Sequence, residues 1–245
     1  KLIEELKKRG SVPGLDAIEG LLEELGHPED NLKVVHIAGT NGKGSIFAYL
    51  SSILIAAGFK VGRYISPTIS CYEERFQING EYIPKDKLAR LYNLVEEAMK
   101  REEEKTGLKP TLFEVETAIS FLYFKEEEVD YALIEVGMGG RMDATNVIRH
   151  PELTVISSIS YDHQAFLGDT LEEIAWQKAG IIKESCPVIL SENSDEVCKV
   201  IEQEATKKKV KCIEIEPTDY EVLSDTPYGS TFLWKEHRYE TTLPG

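Results

Sequence analysis

The sequence is poor in cysteine and in positive charge, and it has no long hydrophobic run. Its four cysteines lie far apart without a C-x-x-C pair, which excludes the usual zinc, dithiol and disulfide patterns and favours a reducing cytoplasm. The longest apolar stretch, residues 46–59, is interrupted by two serines and is too short to span a membrane. With 28 basic against 43 acidic residues and a formal net charge of −15, the chain offers no general surface for nucleic acid. Any phosphate must therefore be bound at a local site.

Segments typical of strands and helices alternate along most of the chain. Short apolar runs predict parallel strands at 34–37, 60–65, 131–136, 153–159, 188–190 and 212–215, and a hairpin at 76–83 that turns at Asn79-Gly80. Longer segments predict helices at 16–25, 45–57 (buried), 85–105, 111–125, 171–181 and 195–208. This alternation indicates an α/β fold with a doubly wound, mostly parallel sheet. Strands at 220–223, 231–234 and 239–242 predict a small antiparallel meander, so we expect an α/β domain over 1–217 and the meander over 218–245.

The strongest functional signal is a glycine-rich run between a predicted strand and a predicted helix: Gly39-Thr40-Asn41-Gly42-Lys43-Gly44-Ser45. Backbone N–H groups of such a turn and the N-terminus of the next helix can hold phosphate. The pattern G-x-x-x-x-G-K-[ST] is matched imperfectly, because Ile37 replaces its first glycine and Gly44 follows Lys43. A turn whose glycines serve only packing has no need of this lysine. The run therefore predicts nucleotide binding, with Lys43 on the β and γ phosphates.

Two polar side chains follow predicted strands at the edge where a parallel sheet opens its ligand crevice. Glu135 ends an apolar strand, and its carboxylate can supply the oxygen ligand that Mg²⁺ prefers. His163 follows the next strand, after a run of three serines in residues 157–160. Taken singly, a strand-end acid is more often only solvated and a lone histidine is more often structural. Their shared edge with Lys43 favours a common site.

Two lysines belong to the predicted helix at 171–181 and its C-terminal end. Lys178 lies in an apolar segment, where a charged amine is costly and its pKa should fall. By itself, an ion-paired or snorkelling lysine is the simpler interpretation. Lys183 is expected to be solvated. At the other end of the chain, Asp16 and Glu19 predict an acidic capping box that starts the first long helix.

Five segments, in order, resemble the folylpolyglutamate synthase and dihydrofolate synthase family within the Mur ligase superfamily. They are H-I-A-G-T-N-G-K-G-S at 36–45, S-P at 66–67 with Y-E-E-R-F at 72–76, F-E-x-x-T at 113–117, E-V-G-M-G-G-R-M-D-A-T-N at 135–146, and D-H at 162–163 continuing through L-G-D-T-L at 167–171 to K-A-G-I at 178–181. Thr68 departs from the histidine often found there, and methionine twice replaces leucine. The resemblance covers most of residues 15–182 and implies a Mur-ligase-type central domain.

This resemblance implies which residues form a site. The family's magnesium ligands are a loop serine, a strand-end glutamate and a histidine, which correspond to Ser66, Glu135 and His163. The family lysine is carbamylated, which implies that Lys178 becomes an anionic oxygen ligand beside the metal. Catalysis would then rest on Lys43, Lys178, His163 and Glu135. The pteridine end of the substrate is expected near Phe113, Glu114, Met142, Asp143 and Ala144, each of which also has a structural explanation.

The resemblance also implies a reaction that uses ATP and Mg²⁺. ATP activates a carboxylate of a pteridine substrate as an acyl phosphate, and the amino group of L-glutamate then attacks it. Expected partners are folate or dihydropteroate, L-glutamate and ATP, with no nucleic acid or membrane and with a monomer at full length. Dihydropteroate and tetrahydrofolate cannot be told apart by these segments. Family members continue after an L-P-G-x-H-Q segment into a C-terminal domain, so the final Leu243-Pro244-Gly245 leads us to expect a truncated chain.

Three other interpretations stay open. A cell-wall Mur ligase shares the loop, the carboxylate and the lysine, but it usually has an additional N-terminal domain. A P-loop kinase or GTPase explains none of the later segments, and the sequence has no N-K-x-D guanine motif. A non-catalytic nucleotide-binding module that pairs with a separate domain would bind ATP without turnover.

Overall fold

The computed structural model describes residues 2–10, 12–184 and 186–242, without the side chain of Leu2. The terminal Leu243-Pro244-Gly245, from which we expected a truncation, lies outside these residues. Within them, one sheet contains eight strands: β1 (Val34–Ala38), β2 (Val61–Tyr64), β3 (Phe76–Ile78), β4 (Glu81–Tyr82), β5 (Tyr131–Glu135), β6 (Leu153–Ile156), β7 (Val188–Leu190) and β8 (Cys212–Glu214).

The sheet has the order β4-β3-β2-β5-β1-β6-β7-β8. The six strands from β2 to β8 in this order are parallel, and β3 and β4 extend the edge as an antiparallel hairpin. Asn79 and Gly80 turn that hairpin with positive φ angles of 50° and 83°, as a type I′ turn requires. The predicted α/β class and the mostly parallel, doubly wound sheet are confirmed.

Eight α-helices connect or flank these strands in the described part of the chain. They are α1 (Leu2–Lys7), α2 (Asp16–Glu24), α3 (Lys43–Ala56), α4 (Lys85–Thr106), α5 (Leu112–Glu126), α6 (Gln164–Leu167), α7 (Leu171–Ala179) and α8 (Asp195–Lys207). Short 3-10 turns lie at Pro28–Asn31, Tyr72–Arg75, Ala144–Val147 and Pro217–Asp219. None of the helices in the described segments is long and apolar enough to cross a membrane.

Strand alternation divides the core between the two faces of the sheet. On one face, α1, α2, α4 and α5 pack on β5 in the largest apolar cluster, and α7 and α8 pack on β6 and β7. On the other face, α3 packs against β1, β2 and β5 through Phe47 and its neighbours. Helix α5 packs closely on the sheet. A Cβ on Gly62 of β2 would lie only 2.7 Å from the ring of Phe124.

The meander forms a second sheet of three antiparallel strands. Its strands are β9 (Tyr220–Thr226), β10 (Gly229–Trp234) and β11 (His237–Thr241), in the order β11-β10-β9. Phe232 and Tyr239 stack across β10 and β11 with ring centroids 5.4 Å apart. The meander follows β8 after the short 3-10 turn Pro217–Asp219, but the division into 1–217 and 218–245 stays a prediction.

Connections from the central strands place the crevice of the sheet. From β1 the chain passes through α3 to β2, toward the β4 edge of the sheet. From β6 it passes through α7 to β7, toward the β8 edge. Parallel α/β sheets open a ligand crevice beyond the carboxyl ends of strands at such a switch of direction. The loops after β1, β5 and β6 therefore meet at one edge.

Two local expectations are wrong. Helix α2 begins at Asp16 after Leu15, which makes no side-chain cap, so Asp16 and Glu19 form no capping box there. Capping boxes lie instead at the starts of α5, with Thr111 and Glu114, and of α7. Helix α3, which was expected to be buried, is apolar on all sides but only half covered. It packs on the sheet with one face and leaves Ile53 64% exposed.

The packing predicts how the fold responds to truncation of one side chain. Replacing the fully buried Phe124 with alanine should lower the free energy of unfolding by about 3–5 kcal/mol, because it leaves a cavity beneath β2. Urea denaturation measures this change. The control Tyr228→Ala, at an 88% exposed residue of the meander, should change it by less than about 0.5 kcal/mol. Equal losses in both variants would contradict the packing.

Candidate active site

The predicted phosphate loop joins β1 to α3. Gly39 has φ 145°, and a Cβ there would lie 1.8 Å from Ser157 Oγ. Gly42, the N-cap of α3, has φ 82°. Both conformations favour glycine. The predicted nucleotide-binding residues, Gly39, Thr40, Asn41, Gly42, Lys43, Gly44 and Ser45, thus form a tight turn and the first helical turn, whose leading N–H groups have no acceptor within the helix.

A serine-rich segment after β6 holds this loop in shape. The carbonyl of Ser158 accepts hydrogen bonds from the N–H groups of Thr40 and Asn41, at 2.8 and 3.4 Å. Ser157 Oγ donates to the Asn41 carbonyl at 2.7 Å. Thr40 Oγ1 donates to the Ser160 carbonyl and accepts from the Ser160 N–H. In the sequence, residues 157–160 drew notice only because they lead to His163. A run of serines after a strand at the switch point was the missed signal.

Two lysines converge on the carbonyl oxygen of Gly39. Lys43 Nζ donates to it at 3.0 Å and to the Thr40 carbonyl at 3.3 Å. Lys178 Nζ, on α7, also donates to it at 3.0 Å. Burial, reinforced by the nearby charge of Lys43, lowers the pKa of Lys178 to about 8. The predicted fall in its pKa is confirmed, and the amine is partly neutral near physiological pH.

Glu135 brings a buried carboxylate to the same place. It ends β5 as predicted, is 7% exposed, and has Oε1 3.8 Å from Lys43 Nζ. Oε2 accepts a hydrogen bond from the backbone N–H of Ser66 at 3.0 Å. Burial raises the pKa of this carboxyl above its ordinary value, against the opposing effects of the Ser66 N–H and the Lys43 charge. The loop after β2 and the end of β5 are thereby joined at the phosphate loop.

His163 reaches the crevice from the loop after β6. It is the N-cap of α6, with φ 47°, and its Nε2 lies 3.6 Å from Asp162 Oδ1. A cavity of about 200 Å³ is lined by residues of four loops and of α7, among them Thr40, Lys43, Ser66, His163 and Lys178. The structure therefore brings three of the four predicted metal ligands to one cavity, with the fourth, Glu135, bonded to the backbone of Ser66.

A larger cavity of about 770 Å³ adjoins the first. All five residues predicted to hold the pteridine line it: Phe113, Glu114, Met142, Asp143 and Ala144. The two cavities share a wall formed by Ser66, Pro67, residues 137–139 and His163. Glu114 also has a structural task, because its carboxylate accepts from the Thr111 N–H and hydroxyl at 2.6 and 2.7 Å. Its role in binding stays a prediction.

A buried ion pair in the wall of the larger cavity was missed. Arg75 Nη1 lies 3.3 Å from Glu116 Oε2, and Tyr72 donates a hydrogen bond to Oε1 of the same carboxylate. Burial raises the pKa of Glu116 while Arg75 opposes the shift. The sequence carried Arg75 in a recognised segment, but nothing in it paired this arginine with a residue on α5.

The expectation for Lys183 is wrong. Its Nζ donates to the Asn146 carbonyl at 3.2 Å, and burial lowers its pKa to about 8. Asn146, in the 3-10 turn Ala144–Val147, also donates to the carbonyl of Gly180 at the end of α7 at 3.2 Å, a contact that local sequence could not show.

The polar residues at the smaller cavity suit a metal ion that arrives with a phosphate ligand. In the parts of the chain that are described, no three His, Cys, Asp or Glu side chains cluster closely enough to hold a metal by themselves. Mg²⁺ usually binds one or two carboxylates and keeps waters and phosphate oxygens as its other ligands. Buried Glu135 beside the phosphate loop fits that arrangement.

The Mur ligase middle domain family matches residues 37–245. The dihydrofolate synthase/folylpolyglutamate synthase of Bacillus subtilis is 44% identical over 201 residues, which cover 82% of this chain and 46% of that protein. The dihydrofolate synthetase of Saccharomyces cerevisiae is 42% identical over 185 residues, covering 75% of this chain and 42% of that protein. The chain thus spans about half the length of the curated relatives it matches.

Solved structures show the same similarity. The folylpolyglutamate synthase of Thermotoga maritima is 37% identical with a TM-score of 0.88, covering 100% of this chain and 57% of that one. An FPGS–AMPPCP–folate complex is 32% identical with a TM-score of 0.86, covering 96% of this chain and 60% of that one.

Lys178 should destabilise the fold that contains it. Its folded-state pKa is about 8, below the ordinary value of 10.5, so the folded protein bears the full cost of the charged amine below pH 8 and none above 10.5. Lys178→Met should therefore raise the free energy of unfolding at pH 7 by about 1–3 kcal/mol. Urea denaturation across this pH range should show the gain shrinking as pH rises. A variant less stable than the parent at pH 7 would contradict this account.

Proposed function

This chain belongs to the Mur ligase middle-domain family, and we propose that it is the nucleotide-binding part of an ATP- and Mg²⁺-dependent ligase that joins L-glutamate to a folate-type carboxylate. The observation that carries the proposal is the pair of adjoining cavities. One is built around a phosphate loop and the other is large enough for a pteridine-containing acceptor. An acceptor carboxylate at their common wall would lie next to a nucleotide phosphate.

The smaller cavity supplies the features that a triphosphate needs. The first N–H groups of α3 offer backbone donors, and Lys43 offers a positive charge beside them. In an acidic protein this local arrangement must overcome the repulsion of the whole chain. Phosphoryl transfer depends largely on such positioning and charge neutralisation, which agrees with a site that needs no nucleophilic side chain.

Ser66, Glu135, His163 and a carbamylated Lys178 are the proposed residues around the metal. Bound Mg²⁺ would neutralise charge on the phosphate oxygens. The Ser66 N–H orients the Glu135 carboxylate by a hydrogen bond, and the positive charge of Lys43 lies close to it. His163 enters the cavity from a separate loop, so ligands from three strand ends would close around one ion.

Lys178 is suited to carbamylation because it is buried and partly neutral. A neutral amine attacks carbon dioxide, forms an N–C bond and releases one proton, which gives an anionic carbamate. Lys43, whose charge disfavours the ammonium form of Lys178, would favour that anion. The negative charge of the carbamate replaces the positive charge of the amine, so the repulsion between Lys178 and Lys43 becomes an attraction.

The larger cavity would take the acceptor, with the ring system against the apolar residues. Phe113 lies at the junction with the shared wall. Its ring packs so closely on Gly137 that a Cβ there would lie only 2.5 Å away. The relatives bear names of dihydrofolate synthases and of folylpolyglutamate synthases, so we propose a folate-type acceptor, with dihydropteroate and tetrahydrofolate as the two candidates. Glutamate attack would complete the reaction, in the whole protein, from outside these two cavities.

The two cavities predict separable effects on binding. Lys43→Ala should weaken ATP binding about 10- to 100-fold, through loss of a charge-assisted contact, and leave dihydropteroate or tetrahydrofolate binding within about twofold. Phe113→Ala should do the reverse, so each variant is the control for the other. Isothermal titration on folded variants measures both affinities. Parent-like ATP binding by Lys43→Ala would rule out the nucleotide assignment.

The carbamate predicts a signal of its own. In ¹³C-bicarbonate, ¹³C NMR of the chain should show a carbamate carbon that grows as pH rises toward 8, because only the neutral amine reacts. Lys178→Met should lack this signal, whereas Lys100→Met, on the exposed face of α4, should keep it. A spectrum unchanged by Lys178→Met would rule out the modification at this position.

A further inference from the structure

His36 lies buried in the strand that leads to the phosphate loop, yet it takes no part in the binding just described. It is 0% exposed, and its Nε2 lies 2.8 Å from Thr145 Oγ1 in the turn Ala144–Val147. Its Nδ1 is buried, and no partner for it is found among the described residues. Among the described residues, the contact with Thr145 is thus the one hydrogen bond that orients this ring.

The direction of that contact follows from the proton of the Thr145 hydroxyl. Thr145 Oγ1 donates to Asp143 Oδ1 at 2.6 Å, and the Thr145 N–H donates to the same oxygen at 3.0 Å. A hydroxyl has a single proton to donate. Thr145 Oγ1 must therefore accept from His36, which places the proton on Nε2 and leaves Nδ1 with a lone pair. Burial lowers the pKa of His36 to about 3, and the charge of Lys183 acts in the same direction, so the ring stays neutral.

The relay ends on the wall between the two cavities. Asp143 Oδ2 accepts from the Met138 N–H at 2.8 Å, and the Gly137 N–H also points to this carboxylate. Residues 137–139 are common to both cavities, and Asp143 itself lines the larger one. A chain of hydrogen bonds thus runs from β1, which carries the phosphate loop, to the segment that separates the phosphate site from the larger cavity.

We propose that His36 and Thr145 are positioning residues, which fix the Asp143 carboxylate and, through it, the shared wall that aligns the acceptor with the nucleotide. The part of the proposal that concerns the acceptor rests on the function proposed above. The structural part, that the relay sets the Met138 segment, does not depend on it. His36 is then a specific donor, and its place in the strand is more than packing.

Thr145→Val is the test variant, because valine has nearly the same shape and lacks the hydroxyl. Thr145→Ser keeps the hydroxyl and serves as the rescue control. Thr145→Val should weaken the binding of dihydropteroate or tetrahydrofolate about tenfold, with ATP affinity within about twofold of the parent. Thr145→Ser should restore acceptor binding to within about twofold. Equal loss of both ligands, or failure of serine to rescue, would show a general loss of structure and overturn the positioning role.

Amide hydrogen exchange tests the relay without any ligand. The Met138 N–H should exchange at least about tenfold faster in Thr145→Val than in the parent or in Thr145→Ser, because its acceptor is no longer fixed. If neither acceptor binds the parent chain, the proposed function fails, and this exchange result alone decides the relay. Unchanged protection of Met138 in Thr145→Val would overturn it.

The unsubstituted chain provides a third measurement that needs no variant to fold. In ¹⁵N-histidine-labelled protein, the His36 ring should be the neutral Nε2–H tautomer between about pH 5 and pH 9. An Nδ1–H tautomer would mean that Thr145 donates to the ring and not to Asp143. That result, or a charged ring in this range, would overturn the relay.

Discussion

The carbonyl oxygen of Gly39 is the point on which the site depends. It accepts hydrogen bonds from both Lys43 and Lys178, while the missing side chain of Gly39 leaves room for Ser157. A Cβ here would displace the serine segment that shapes the phosphate loop. One backbone atom thus joins β1, α3 and α7, and it places two cations where the sheet opens its crevice.

The burial of these charges has consequences for both stability and chemistry. Lys178 is nearly inaccessible and its pKa is lowered to about 8, while burial raises the pKa of Glu135. Such opposed shifts at one edge of a sheet are typical of functional sites. In a chain with a net charge of −15, the site also brings two lysine side chains to one backbone oxygen. Binding of an anionic nucleotide would relieve the cost of keeping two lysines together.

Local sequence patterns predicted most of the architecture and the residues at the strand ends. The strand order could not be read from them, but the alternation of elements, the hairpin at Asn79-Gly80 and the position of Glu135 at the end of β5 are confirmed. The capping box at Asp16 and the burial of α3 are wrong local expectations, whereas the other errors concern contacts between distant segments. Lys183 is half-buried, and its Nζ donates to the Asn146 carbonyl. His36 and Thr145 are 109 positions apart, and no periodicity in the sequence connects them.

The two adjoining cavities are proposed to bind the nucleotide and the acceptor of one ligation reaction. A chimera that continues residues 1–242 with the remaining part of the Bacillus subtilis relative tests it most directly, by phosphate release from ATP and Mg²⁺. The account predicts release only when L-glutamate and either dihydropteroate or tetrahydrofolate are both present. Release without an acceptor, or none at all from a folded chimera that binds ATP, would contradict it.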